Sequence, residues 1–77
     1  MKDFGRSLVS SRLASGALRR DSPIKTRFAR GWEGDCAACD AVISMTHFAS
    51  ETTFADRATL RFHRDCYYVW HEVRAAG

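Results

Sequence analysis

The clearest hydrophobic periodicity lies at the C-terminal end of the chain. Cys66, Val69, Trp70 and Val73 recur at i, i+3, i+4 and i+7, which places them on one face of a helix. Asp65 falls in its first turn and Arg74 near its end, where an acid and a cation respectively suit the helix dipole. A helix is expected over residues near 64–75. Tyr67 and Tyr68 straddle its edge, so at least one of these rings should be exposed. Upstream the period changes to two. Thr52-Thr53-Phe54 and Thr59-Leu60-Arg61-Phe62-His63 are β-prone and are separated by Ala55-Asp56-Arg57-Ala58, which reads as a hairpin. Leu60 and Phe62 share one strand face, and Thr59, Arg61 and His63 share the other. Val42 and Ile43 form a further short strand candidate. The core is expected to be Trp70, Val69 and Val73 packed on Phe62 and Leu60, with Trp32 a possible addition.

The N-terminal part has no such order. Phe4, Leu8, Val9, Leu13 and Leu18 spread around a helical wheel instead of forming one stripe, and Gly5 and Gly16 weaken a helix further. A short helix near residues 6–19 is compatible with the pattern if the body of the protein supports it. Asp21, Ser22 and Pro23 would end it. Residues 21–31 read as a linker. The division is therefore an N-terminal arm and linker over 1–31 and a folded domain over 32–77, within a chain of 77 residues. A domain this short buries little apolar surface and commonly needs a metal, disulfides or a partner as a supplement.

Charge follows the same division. Residues 1–32 hold eight basic side chains against two acidic ones, a net +6, and residues 33–77 hold four against seven, a net −3. A basic arm on a mildly acidic body suits nucleic acid or an acidic surface, although a solvated tail has the same composition. Arg19, Arg20, Lys25, Arg27 and Arg30 are the candidate phosphate contacts. The Arg- and Ser-rich start also has the composition of an organelle transit peptide, without the apolar run of a secretory signal. No stretch has the length of apolar sequence that a membrane span requires.

The chemistry concentrates in one pattern, Cys36-x2-Cys39-x23-His63-x2-Cys66. Zinc takes four ligands in a tetrahedron and favours thiolate and imidazole. A Cys-x2-Cys turn brings two sulfurs to one point. His63 and Cys66, three residues apart at the start of a helix, can face the same side. The helix N-terminus favours the Cys66 thiolate. Four protein ligands leave no position for water or substrate, so one structural Zn2+ is the expected cofactor. Three cysteines, an odd number, do not make a closed disulfide set. Reduced thiols in turn imply a reducing compartment, and a cytoplasmic location is expected. A redox Cys-x2-Cys is the competing reading, but it calls for a βαβ context that the pattern lacks.

A Cys-x2-Cys turn, a hairpin, then Phe62-His63-x2-Cys66 and Trp70 on a helix resembles a treble-clef zinc finger. Ligand order and spacing are similar to the first zinc module of a LIM domain, over about residues 34–74. The resemblance implies an α+β fold of zinc knuckle, β-hairpin and C-terminal helix, with a flexible or weakly helical basic arm before it. It also implies the four ligands. A LIM domain would continue with a second ligand set, with a cysteine expected at about Val69, and none follows Cys66. The chain thus resembles a single-zinc relative of the kind found in small bacterial proteins. Treble clefs serve protein binding, nucleic-acid binding and catalysis, so the fold selects none of them.

The remaining candidates are weaker. His47 lacks a ligand-spaced partner and His71 lies on a different helix face from Cys66, so both read as exposed polar residues. Trp32 and Trp70 could stack on bases, but core packing is the commoner use of such rings. No nucleophile, base or phosphate loop supports catalysis. The expected function is a non-catalytic zinc module acting as a protein-binding or regulatory adaptor. The alternative is a nucleic-acid binder using the arm with the finger. No small-molecule substrate or membrane role is expected.

Overall fold

β-Branched residues and alternating burial build the centre of the molecule between Ala49 and His63. The computed structural model describes residues 2–76, with side chains from Arg6 onward, so Met1, Gly77 and the side chain of Phe4 lie outside the description. Strand β4 (Ala49–Thr53) pairs antiparallel with β5 (Thr59–His63), as the hairpin pattern requires. The turn is closed by Phe54 N–H donating to Ala58 O at 2.9 Å, and Arg57 takes a positive φ of 72° within it. Ser50, Thr52 and Phe62 point to the buried face, with Leu60 half-buried beside them.

Helix α2 (Arg64–Ala76) crosses that face and begins where β5 ends. The Trp70 ring is fully buried, stacked on Phe62 at 5.3 Å and edge-on to Phe54 at 6.1 Å. Its indole N–H donates to Arg19 O at 2.9 Å, so the polar atom of the largest core side chain is satisfied. Leu60, Val69 and Val73 are partly buried against the core cluster, and so is Trp32, which lies beside Arg27 and Arg61. Of the two tyrosines, Tyr67 is buried and Tyr68 is exposed.

A two-stranded ribbon, β2 (Gly34–Asp35) with β3 (Val42–Ile43), carries the Cys36–Cys39 turn at its tip. Cys36 N–H donates to Ala41 O and Asp40 N–H to Cys36 O, each at 2.9 Å. Asp40 turns the chain with a φ of 64°. Ala37 N–H donates to Arg61 O at 2.8 Å, and that bond ties the ribbon to the edge of β5.

The N-terminal expectations need correction. Residues 21–31 are not a linker throughout, because Lys25–Ala29 forms strand β1, antiparallel to β4, and the sheet order is β1-β4-β5. Charge masks an alternation here. Thr26 and Phe28 face α2, where the Phe28 ring meets Tyr67 edge-on at 5.3 Å, while Lys25 and Arg27 point to solvent. Residues 2–15 are also more than a weak helix. Helix α1 (Lys2–Ser15) packs on α2, and Val9, Leu13 and Leu18 are buried in the common core. Gly16, which the sequence presents as a helix breaker, instead lies just past its end with a φ of 86°, a conformation glycine adopts without a Cβ clash. The chain then folds back so that Leu18 N–H reaches Arg12 O at 3.0 Å. Arg74 holds the following segment through Ser22 Oγ at 3.3 Å.

No helix among the described residues is long and apolar enough to cross a membrane. The docking of α1 is testable. Leu13→Ala removes a buried side chain and should cost about 2–5 kcal/mol, read as a lower urea midpoint, whereas half-buried Leu8→Ala should cost clearly less. Equal midpoints for Leu13→Ala and the parent protein would show α1 undocked in solution.

Candidate metal centre

Three elements deliver the four ligand candidates. The ribbon tip supplies Cys36 and Cys39, the last residue of β5 supplies His63, and the first turn of α2 supplies Cys66. The run from β5 into α2 is continuous, with helix starting at Arg64, so His63 and Cys66 are set by one strand–helix junction. The ligand atoms of Cys36, Cys39, His63 and Cys66 all lie within 4.8 Å of one another. His63 Nδ1 is 3.5 Å from Cys39 Sγ and 3.9 Å from Cys66 Sγ. The edges of a tetrahedron around a zinc-sized ion with ordinary Zn–S and Zn–N bonds measure about 3.5–3.8 Å. The donor set and its spacing therefore fit a tetrahedral metal ion, and all four residues named from the spacing meet at one point.

The surroundings orient the ligands. His63 Nε2–H donates to Val42 O at 3.1 Å, which leaves the Nδ1 lone pair to face the sulfurs. His63 backbone N–H points to Cys36 Sγ at 3.4 Å. Cys36 is fully buried, and Cys39, His63 and Cys66 are half-buried. The Val42 contact was not legible in the residue pattern, because its acceptor is a backbone carbonyl whose position depends on the β2–β3 pairing.

The thiols are strongly perturbed by their own proximity. A hydrogen bond from the Cys66 thiol, helped by backbone N–H groups of His63, Cys39 and Ala38, lowers Cys36 from 9.0 to about 4 against its burial. Cys66 is pushed up because its proton is shared with Cys36, and burial adds to this. Burial raises Cys39. The Cys36–Cys66 pair is best described as one thiolate holding its neighbour's proton. A divalent cation would replace those protons.

The knuckle is also tied to α1. Arg12 reaches Asp40, the residue after Cys39, at 2.5 Å, and this guanidinium holds the Asp40 carboxyl below its usual range. His47 is exposed and outside the ligand group. Its Nδ1 accepts Ser44 N–H at 3.1 Å, and its ring lies edge-on 5.1 Å from that of His63. His71 is exposed, as expected.

The five basic candidates do not share one place. Arg19 is occupied internally, bonded to Asp21 at 2.8 Å and Asp56 at 3.0 Å with its guanidinium over Phe54. Arg20 is exposed, and its carbonyl faces Arg74 at 3.5 Å. Lys25 and Arg27 lie on the outer sheet face, where Arg27 and Arg61 flank Trp32, each 5.8 Å from its ring. Arg30 lies elsewhere, over Phe48 at 4.9 Å. No family model matches this chain, and no curated protein or solved structure does.

Metal affinity should depend on pH with a definite sign. The lowered Cys36 favours the folded, metal-free chain above its unfolded pKa, and that contribution is lost as pH falls toward about 4. The raised Cys66 acts in the opposite sense, losing its contribution as pH rises through its folded value. Near neutral pH a metal must still displace the protons of Cys39 and Cys66. Apparent affinity should then rise about a hundredfold per pH unit for the folded metal-free protein, two protons being released, and about a thousandfold per unit for an unfolded metal-free chain, whose three thiols are all protonated. Competition with a chromophoric chelator at several pH values measures the slope, and a flat profile would show that these thiols are not the ligands.

Proposed function

We propose that the chain is a non-catalytic binding module held together by one structural zinc ion on Cys36, Cys39, His63 and Cys66. The convergence of three sulfurs and one imidazole nitrogen supports this reading. Borderline-soft zinc suits that donor set, and thiolate-rich tetrahedral sites are its common structural form. The protein would fill all four positions, which leaves no coordination site for a reacting water. In the proposed treble-clef arrangement the ion joins ribbon, hairpin and helix. The continuation into a second LIM-like zinc site has no counterpart, since Val69 packs half-buried against the core where a cysteine would be needed.

The module would act by presenting a surface to a macromolecule. A protein-binding adaptor role is supported by the apolar side chains exposed near the metal site, Val42 and Met45. A nucleic-acid role is supported by a different arrangement of arginines and aromatic rings, taken up below. A cytoplasmic setting agrees with the proposed use of reduced thiols.

Purified protein should contain one zinc per chain by elemental analysis or native mass spectrometry. A strong chelator should collapse its NMR dispersion, because the proposed ion supplies much of the folding free energy. Cys66→Ser should bind zinc far more weakly and fail to fold at the same protein concentration. Native-like dispersion in metal-free protein would defeat the reading.

A further inference from the structure

The aromatic rings left at the surface are not scattered. Phe28 is 39% exposed, Phe48 42% and Tyr68 54%, in a chain with little core to spare. Phe28 and Tyr68 stack at 5.8 Å with planes 18° apart, and buried Tyr67 braces both rings edge-on. Phe48 lies under two guanidinium groups, Arg30 at 4.9 Å and Arg64 at 5.9 Å. Arg64 N–H donates to Phe48 O at 3.1 Å, which fixes this loop to the start of α2. Arg64 and Tyr68 stand four apart on that helix, and Phe28 and Arg30 two apart at the end of β1, so the rings and cations form one face.

We propose that this face, Phe28, Arg30, Phe48, Arg64 and Tyr68, binds single-stranded nucleic acid through base stacking on Tyr68 and phosphate contacts to Arg30 and Arg64. This names a partner class for the zinc-held module and rests on that reading only for the rigidity of the face.

Three observations select this occupant. A guanidinium lying over a ring still presents N–H groups outward, where they can meet phosphate. Arg30 has no described carboxylate within 4.0 Å, and the partner of Arg64 is Asp65 at 3.6 Å, itself highly exposed. A cleft of about 480 Å³ adjoins Phe48 and Arg64 on the side of the metal cluster, lined also by Thr46, His47, Asp65 and the ligand candidates His63 and Cys66, and it has room for a nucleotide. An acidic peptide would satisfy the cations but would make no use of a flat ring pair. Duplex DNA is disfavoured because its bases are already stacked on one another and present no free face to Tyr68. Stacking and phosphate contact are common to RNA and DNA, so either single strand should bind.

The test is fluorescence anisotropy of zinc-loaded protein with labelled oligo-U, oligo-dT and a duplex, each roughly ten nucleotides long, with polyglutamate as competitor. The single strands should bind, with a log–log salt slope near −1.4 for two phosphates. Tyr68→Ala should weaken binding about 5- to 150-fold, the range for one lost base stack, and Tyr68→Phe should restore it. Arg64→Ala should flatten the salt slope, and Arg64→Lys should keep it. Zinc content and NMR dispersion of each variant, measured in parallel, separate loss of the face from loss of the metal. Intact, zinc-bound protein that binds neither single strand would overturn the proposal. So would tighter binding to duplex, effective displacement by polyglutamate, or indifference to Tyr68→Ala.

Discussion

The convergence of the ribbon tip, the end of β5 and the start of α2 on one point is the constraint from which the rest of this structure follows. Cys36 and Cys39 approach from one side, and His63 and Cys66 from the other. Two hydrogen bonds hold the approach: Ala37 N–H on Arg61 O, outside the ligand set, and His63 Nε2–H on Val42 O, from the ligand imidazole itself. Each bond joins the ribbon to β5. The three thiol groups crowd together and share protons, with backbone N–H groups of His63, Cys39 and Ala38 supporting the Cys36 sulfur. A bound cation would convert that crowding into coordination, and it would close a loop of more than twenty residues between the two ligand pairs.

A second layer of structure supports this junction from behind. Trp70 is the common element, stacked on Phe62 of the hairpin, edge-on to Phe54 in the turn and hydrogen-bonded to Arg19 O in the N-terminal segment. Through that one side chain the hairpin, α2 and the chain before β1 share a core. Helix α1 extends it with Val9 and Leu13, and Arg12 adds a direct tie to Asp40 beside the knuckle. The N-terminal third thus adds to the apolar burial that residues 32–77 would have alone. That is how so short a chain assembles a core. One oddity remains inside it: Ser50 Oγ and Thr52 Oγ1 are buried in central strand β4 with no hydrogen-bond partner, and nothing in the structure explains them.

What could be read from the residues was what is local or chemically distinctive. The four ligand candidates stand in a spacing that few other purposes produce. The hairpin follows from period two around Leu60 and Phe62, and α2 from the spacing of Cys66, Trp70 and Val73. What escaped depends on distant partners. Thr26 and Phe28 make β1 only because β4 offers an edge and Tyr67 a surface, and the surrounding Lys25, Arg27 and Arg30 disguise that alternation as a charged tail. Val9 and Leu13 become a buried stripe only once α2 selects that side of α1, since the other apolar positions point elsewhere on the wheel. Gly16 was misleading for a related reason: its cost inside a helix and its benefit just past the end are the same conformational freedom.

The grouping of Phe28 and Arg30 with Phe48, Arg64 and Tyr68 was hidden in the same way, since it joins three stretches of sequence with no common motif. It also changes where a basic partner-binding surface is to be sought. Charge counting points to the whole N-terminal arm, yet Arg19 is spent on Asp21 and Asp56, and Arg27 lies with Trp32 on the opposite face of the sheet. Only Arg30 of the five stands beside exposed rings that also have Arg64 as a neighbour. Arg64 belongs to the acidic half of the chain and immediately follows His63. The face that would meet a nucleic acid is therefore one residue from the ligand cluster, so an ion bound there would hold the rings and guanidinium groups in register too.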